Sequence, residues 1–213
     1  MSVFSIFTHL FPPPQYLTLP SVGVDISENS LKYIRFTRKH SRDENVELSA
    51  WGDIAIPEGT LVGGKLERPD ILVSVLKEAR MRAGTAYARV SLPEERAYIF
   101  ETSIKRGASP KEIRGLLEFK LEENVPLSPR DAFFGYEILE EKENSETMEV
   151  VVIVYARETV LAYYDACISA GFLPISFEVE AGAVARAIVP RSDARSIMVV
   201  DFGKHRLGVG IVH

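Results

Sequence analysis

The chain of 213 residues contains a single cysteine, Cys167. That excludes an internal disulfide and a cysteine-based zinc site, and it fits a reducing compartment. No run of about eighteen apolar residues occurs, so no helix is expected to cross a bilayer. Basic residues are in deficit: 25 Lys and Arg stand against 30 Asp and Glu, a net charge of −5. A surface that tracks nucleic-acid phosphates needs the opposite balance, so no nucleic-acid partner is expected. Low-complexity tracts and heptad arrays are also missing. What remains is an ordinary globular composition, 46% hydrophobic and 26% charged, in a length that can bury the core of one large domain or two small ones.

The opening "MSVFSIFTHLFPPP" places Val3, Phe4, Phe7, Leu10 and Phe11 at helical spacing, and its three prolines stop any helix. It lacks the basic start and the cleavage site of a signal peptide. Residues 1–20 are expected to be an amphipathic segment and linker, docked on the chain's own domain or on a partner. An interfacial membrane foot is the weaker alternative, since no Lys or Arg is there to meet anionic lipid.

Downstream, strands and helices interleave. "SVGVDIS" and "LKYIRFTR" flank the polar turn "SENS", and "NVELSAWGDIAIP" continues as alternating extended chain. A turn-rich stretch leads to "DILVSVLKEARMRAG", a helix with an apolar face and Gly84 as its stop. "ARVSLPEERAYIFETSI" returns to strand with a break at Pro93. In "SPKEIRGLLEFKLEENVPLSP", Ser109, Pro110 and Glu112 spell a capping box, Pro126 ends the helix, and Ile113, Leu116, Leu117, Phe119 or Lys120, and Leu121 make its apolar face. Two strands follow, "AFFGYEILEE" and "MEVVVIVYAR", then a helix containing Cys167 and stopped at Gly171. "LPISFEVEA" reads as strand, "GAVARAIV" as a short helix, and "SIMVVDFGKHRLGVGIVH" as a closing hairpin. The expected class is therefore α/β with a mixed sheet.

One pattern occurs twice. The apolar strands "VGV" and "MVV" each deliver an aspartate, Asp25 and Asp201, into a polar turn before the chain doubles back. Backbone N–H groups in such a turn can cradle phosphate oxygens, and the acid can hold hydrated Mg²⁺. Two copies suggest two related subdomains that clamp a polyphosphate from both sides.

These residues resemble the actin-like ATPases. "GVDISENSLK" resembles their first phosphate loop and "VVDFGKHRLGVGIV" their second, with "EVEAGAVARAIV" similar to the connecting helix between. The inserted strand–helix–strand–strand unit is similar to that of the FtsA/PilM branch, and most of all to PilM-like type IV pilus assembly proteins. The resemblance runs from Ser21 onward. It implies an actin-like (ribonuclease-H-like) fold divided as 21–88, first subdomain; 89–155, inserted unit; 156–195, return to the first subdomain; and 196–213, start of a second. It implies Asp25 and Asp201 toward Mg²⁺, with Ser27, Glu28, Asn29 and Ser30 as the first phosphate turn. It further implies Lys32 on a phosphate oxygen, Gly203 close to phosphate, and Glu180 where the superfamily positions the attacking water. ATP and Mg²⁺ are the implied cofactors. The implied partner is the N-terminal cytoplasmic peptide of a PilN-like inner-membrane pilus protein, bound in a groove beside the inserted unit, with the chain cytoplasmic and peripheral to that membrane.

Departures from the family pattern also count. Ser27 stands where glycine is usual and would crowd a phosphate unless the turn opens. Lys204, His205 and Arg206 replace small hydroxyl residues; they either hold phosphate by charge or form a solvated basic turn, the second being preferred. The family continues past the second hairpin, whereas this chain stops at His213, so most of the second half is expected to be missing. The last hairpin is then expected to add to the main sheet or to self-associate. A scaffold without ATP turnover of its own is the expected function. The alternatives are an FtsA-like cell-division tether, a type II secretion component and, least, a phosphotransferase.

Overall fold

The computed structural model describes residues 19–37, 46–140, 145–190, 195–203 and 207–212. Most of the amphipathic opening, the charged turn near 142 and the Lys204–Arg206 turn lie outside them. The described residues group into two compact units, one within Met1–Leu92 with Tyr163–Glu178, the other Pro93–Ala162 with Val179–His213.

The first unit is built on a five-stranded sheet in the order β10-β6-β1-β2-β3. Strands β1 (Ser21–Ile26), β2 (Ser30–Thr37) and β3 (Glu47–Ala55) form an antiparallel meander, and β6 (Tyr87–Leu92) runs parallel to β1. Strand β10 (Leu173–Val179) lies beyond β6. Alternation puts Val22, Val24, Ile26, Leu31, Ala88 and Val90 on one buried face. Helix α1 (Pro69–Ala83) joins that core through Leu72, Val75, Leu76 and Ala79, and ends where Gly84 adopts φ 65°. The Arg35 guanidinium donates to the last carbonyls of α1, those of Ala83 at 2.8 Å and Gly84 at 3.1 Å. The turn-rich stretch before α1 contains a small hairpin, β4 (Leu61–Val62) and β5 (Lys65–Leu66), whose linking residues Gly63 and Gly64 both have positive φ.

In the second unit, β7 (Ala97–Lys105), β9 (Thr147–Ala156) and β8 (Ala132–Glu140) make an antiparallel sheet in that order. Helix α2 (Pro110–Asn124) packs Ile113, Leu117 and Leu121 on Val150, Val152 and Val154 of the central strand. The capping box is present: the Glu112 N–H donates to Ser109 Oγ, and the Ser109 N–H donates to the Glu112 carboxylate at 2.8 Å. Of the two residues left open for that face, Phe119 and Lys120, half-buried Lys120 is nearer it and Phe119 is not on it. At 100° per residue Phe119 lies well off the line through residues 113, 117 and 121, and it is 59% exposed.

Helix α3 (Arg157–Ser169) carries the chain from the second unit back to the first, where Tyr163, Cys167 and Phe172 are fully buried. Helix α4 (Glu180–Ile188) starts two residues earlier than the sequence pattern implies. The reason is a side chain far away in sequence: the Ala181 N–H donates to Glu94 Oε1 at 2.6 Å, satisfying an open donor of the first turn. The closing hairpin, β11 (Ile197–Phe202) and β12 (Leu207–Val212), is a two-stranded sheet of its own, so it is not an extension of the five-stranded one. Among the described residues no helix is long and apolar enough to cross a membrane.

Candidate functional site: two acidic hairpins

The first hairpin gathers Asp25, Ser27, Glu28, Asn29, Ser30 and Lys32 within eight consecutive residues of β1–β2. Its turn closes on itself: both the N–H and the hydroxyl of Ser27 donate to the Ser30 carbonyl, each at 3.0 Å. The turn is also fastened from outside. The Asn29 carbonyl accepts from the Ile56 N–H at 2.8 Å, and the Glu28 carboxylate accepts from the Gly63 N–H. The structure thus engages Ser27, Glu28 and Asn29 in holding the turn, which fixes its shape.

Asp25 and Lys32 are cross-strand partners, with Nζ 3.8 Å from Oδ2 and side chains 33% and 55% exposed, respectively the acid and the base. Such a pair contributes little stability at this exposure. Its importance is chemical, because a cation already faces the carboxylate that Mg²⁺ would need. Register extends this into a row that the sequence pattern did not reveal. Ser91 of β6 stands beside Asp25 on one side, and Asp53 of β3 stands opposite Lys32 on the other. Among the described residues no cluster of three His, Cys, Asp or Glu side chains forms a metal cage. The donor set of one carboxylate, hydroxyls and an ammonium nonetheless fits one side of a hydrated Mg²⁺–phosphate group, which keeps most of its waters.

The second hairpin carries Asp201 on β11, exposed and opposite Gly208, with Gly203 just past the strand end. A Cβ on Gly208 would come 3.6 Å from that of Asp201, so the glycine leaves the ground beside the carboxylate bare. Helix α4 lies against this ribbon, since a Cβ on Gly210 would come 3.8 Å from Ala181 Cβ. Glu180 opens that helix, half-buried. Its charge acts on Tyr155, whose phenol is raised well above its ordinary pKa, first by burial and then by Glu94, Glu95 and Glu180. The Tyr155 hydroxyl donates to the Pro93 carbonyl at 3.3 Å. Glu180 therefore stands in an acidic, partly enclosed setting at a helix N-terminus, where sequence reasoning had not foreseen Glu94.

A sheet with an acid-bearing hairpin at its first strands, and a helix leading into a second acid-bearing hairpin, defines an actin-like ATPase fold. Solved structures agree on the fold. A PilM–PilN type IV pilus biogenesis complex matches with TM-score 0.78 at 20% identity, over 90% of this chain and 57% of that one. The cytoplasmic domain of EpsL, an inner-membrane component of the type II secretion system of Vibrio cholerae, matches with TM-score 0.52 at 18% identity, over 84% of this chain and 62% of that one. The chain thus spans less than two thirds of either relative. The sequence model of the family described as type IV pilus assembly protein PilM matches residues 23–213, and the chain belongs to that family. No curated protein sequence matches it.

Proposed function

We propose that this chain is a cytoplasmic scaffold of the type IV pilus machine that docks the N-terminal tail of a PilN-like inner-membrane protein. The observation that carries the reading is the family match over residues 23–213, joined to the likeness to a PilM–PilN complex. Helix α2 offers a physical foothold within its own unit. A cavity of about 290 Å³ beside its first turn is lined by Ile104, Ala108, Ile113 and Leu116, with Lys105 and Glu112 among its polar members. An apolar anchor of an extended peptide would fill it, and the charges would set orientation. Calorimetric titration with the tail peptide tests this. Binding that survives chelation of Mg²⁺ and Asp25→Ala is expected; no heat at high peptide concentration rejects the scaffold reading. A type II secretion role is the second reading, favoured by the likeness to the EpsL cytoplasmic domain.

The two hairpins are proposed as halves of an ATP·Mg²⁺ clamp, Asp25 and Asp201 toward the metal, Gly203 and the Ser27–Ser30 turn toward phosphate. Lys32 would leave Asp25 for a phosphate oxygen, and Glu180 would orient water. Bound ATP would supply a polyphosphate ligand; positioning and electrostatics are nearly all that a protein adds to phosphoryl transfer. No steady-state hydrolysis by this chain alone is expected, and turnover that disappears in Asp25→Ala would reject that expectation.

The ribbon β11–β12 is proposed to meet a second copy of the chain. Its three cross-strand pairs Met198–Ile211, Val200–Val209 and Phe202–Leu207 expose six apolar side chains. Pairs centred on Val200–Val209 give the face an approximate two-fold symmetry, so it can complement itself.

A further inference from the structure

Ser91 is a polar residue buried without reward. It is only 8% exposed, and its Oγ has no hydrogen-bond partner among the described residues. A native protein rarely leaves a buried hydroxyl in that state; a water, ion or ligand normally completes it. Its neighbours say which. Val90 and Leu92 are buried, and Val90 pairs with buried Val24, so alternation turns Ser91 to the opposite face of the sheet. That is the face of Asp25, its register partner on the adjacent parallel strand. The row Ser91, Asp25, Lys32, Asp53 then runs across three strand pairs, with two acids and one base. Its net charge is negative, which suits a cation better than an anion.

We propose that Ser91 Oγ and the Asp25 carboxylate together bind a hydrated divalent cation, and that the cation, when no phosphate is bound, displaces Lys32 from Asp25 toward Asp53. One carboxylate, one hydroxyl oxygen and retained waters make an ordinary Mg²⁺ environment. The Lys32 ammonium, 3.8 Å from Asp25, is a counter-ion that an arriving cation would compete with. Asp53, across the strand from Lys32, gives it an acceptor when it moves. Ser91 is thus a binding residue that no phosphate-loop pattern contains, because it lies on β6, far along the chain from the first hairpin. The inference rests on the reading in which Asp25 faces a divalent cation, and it is independent of peptide docking.

The probe is Mn²⁺ alone, added to the ¹⁵N-labelled full chain while amide resonances are followed for paramagnetic broadening. Broadening centred on Asp25, Ser27 and Ser91 is expected. Ser91→Ala should weaken Mn²⁺ binding roughly threefold to tenfold, the loss of one hydrogen-bonding oxygen, and Asp25→Asn should abolish it. Lys32→Gln should tighten it, because ammonium and metal compete for one carboxylate; unchanged or weaker binding there overturns the displacement step. Thermal melting gives a readout that a structural serine would not move. Without divalent cation, Ser91→Ala should melt no lower than the parent chain, since no bond is lost. With Mg²⁺ the parent should gain more than the variant. Equal Mn²⁺ binding by Ser91→Ala, or a melting temperature lowered alike with and without Mg²⁺, overturns the role of Ser91 while leaving the cation reading intact. Mn²⁺ binding that persists in Asp25→Asn overturns both.

Discussion

Tyr33 lies across Gly52 so closely that a Cβ on the glycine would come 2.7 Å from the Tyr33 hydroxyl oxygen and 2.8 Å from its ring carbons. The two are cross-strand partners on β2 and β3, and the ring is buried. Gly52 supplies the space into which the tyrosine folds, and the ring covers the backbone that the glycine leaves open. Gly52→Ala should therefore push the ring out of its site and destabilise the first unit by about 1–3 kcal/mol, the usual range for overpacking. Urea unfolding of the two proteins measures this. Gly52→Ala with unchanged stability would mean that the ring moves freely and that the pairing does not hold β3 in place.

A pH dependence follows from the cap of α2. The Glu112 carboxyl is held below its ordinary value, first by the Ser109 side chain, then by the Ser109 backbone N–H and, against a small opposing effect of burial, by the charge of Lys105. A depressed folded value means that its contribution is fully present above the ordinary glutamate value of 4.5 and is lost as pH falls through the folded one. Ser109→Ala should lower stability by about 1 kcal/mol at neutral pH. Glu112→Gln should be less stable than the parent at pH 7 and converge with it in acid. A difference that stays constant from pH 7 to pH 3 in chemical unfolding would contradict the cap geometry.

The same cap shows what the sequence could carry. Ser109 and Glu112 are three residues apart, Gly84 directly follows Ala83, and Gly171 stands two residues past Ser169, so each signal is local. The acidic hairpins were equally legible, because strand, aspartate and turn are contiguous. Other features needed the fold. Glu94 meets the N–H of a residue 87 positions away, and Arg35 meets the end of α1 at a separation of 48. Asp53 and Ser91 join the row at Asp25 and Lys32 only through sheet register, which no run of neighbouring residues states. The choice between Phe119 and Lys120 stayed open for the converse reason. An apolar residue in an amphipathic helix suggests the core, but only helical phase decides the face, and Phe119 instead lies near the Lys120 ammonium, 5.9 Å from its ring centre.

Cys167 reports on the opening of the first unit. Burial alone pushes its thiol up to about 12, so at pH 8 almost none of it is thiolate. A thiol reagent should fail to label the native chain at pH 8 and should react at once in denaturant. Under native conditions the labelling rate should follow the stability of the core around Tyr163 and Phe172, and Gly52→Ala should speed it in proportion to its destabilisation. Rapid labelling of the folded parent would place Cys167 outside that core.

The exposed ribbon makes the last prediction. Phe202 is 82% exposed, and the face it shares with Met198, Val200, Leu207, Val209 and Ile211 is apolar along its whole length. Scattered apolar side chains on a surface need no partner, but six contiguous ones on a two-stranded sheet make a patch that water opposes. Covering the face in a second copy would remove the patch, since a two-fold rotation would lay Val200 and Val209 of one chain against Val209 and Val200 of the other. Light scattering across a concentration series should show association. Phe202→Asp should shift it at least tenfold toward monomer, because a carboxylate buried in such a face is left unpaired. Circular dichroism should stay unchanged, since Phe202 contributes little to the chain's own core. A parent chain that remains monomeric at the highest concentration would reject the self-association. Association that Phe202→Asp leaves untouched would move the contact to another surface.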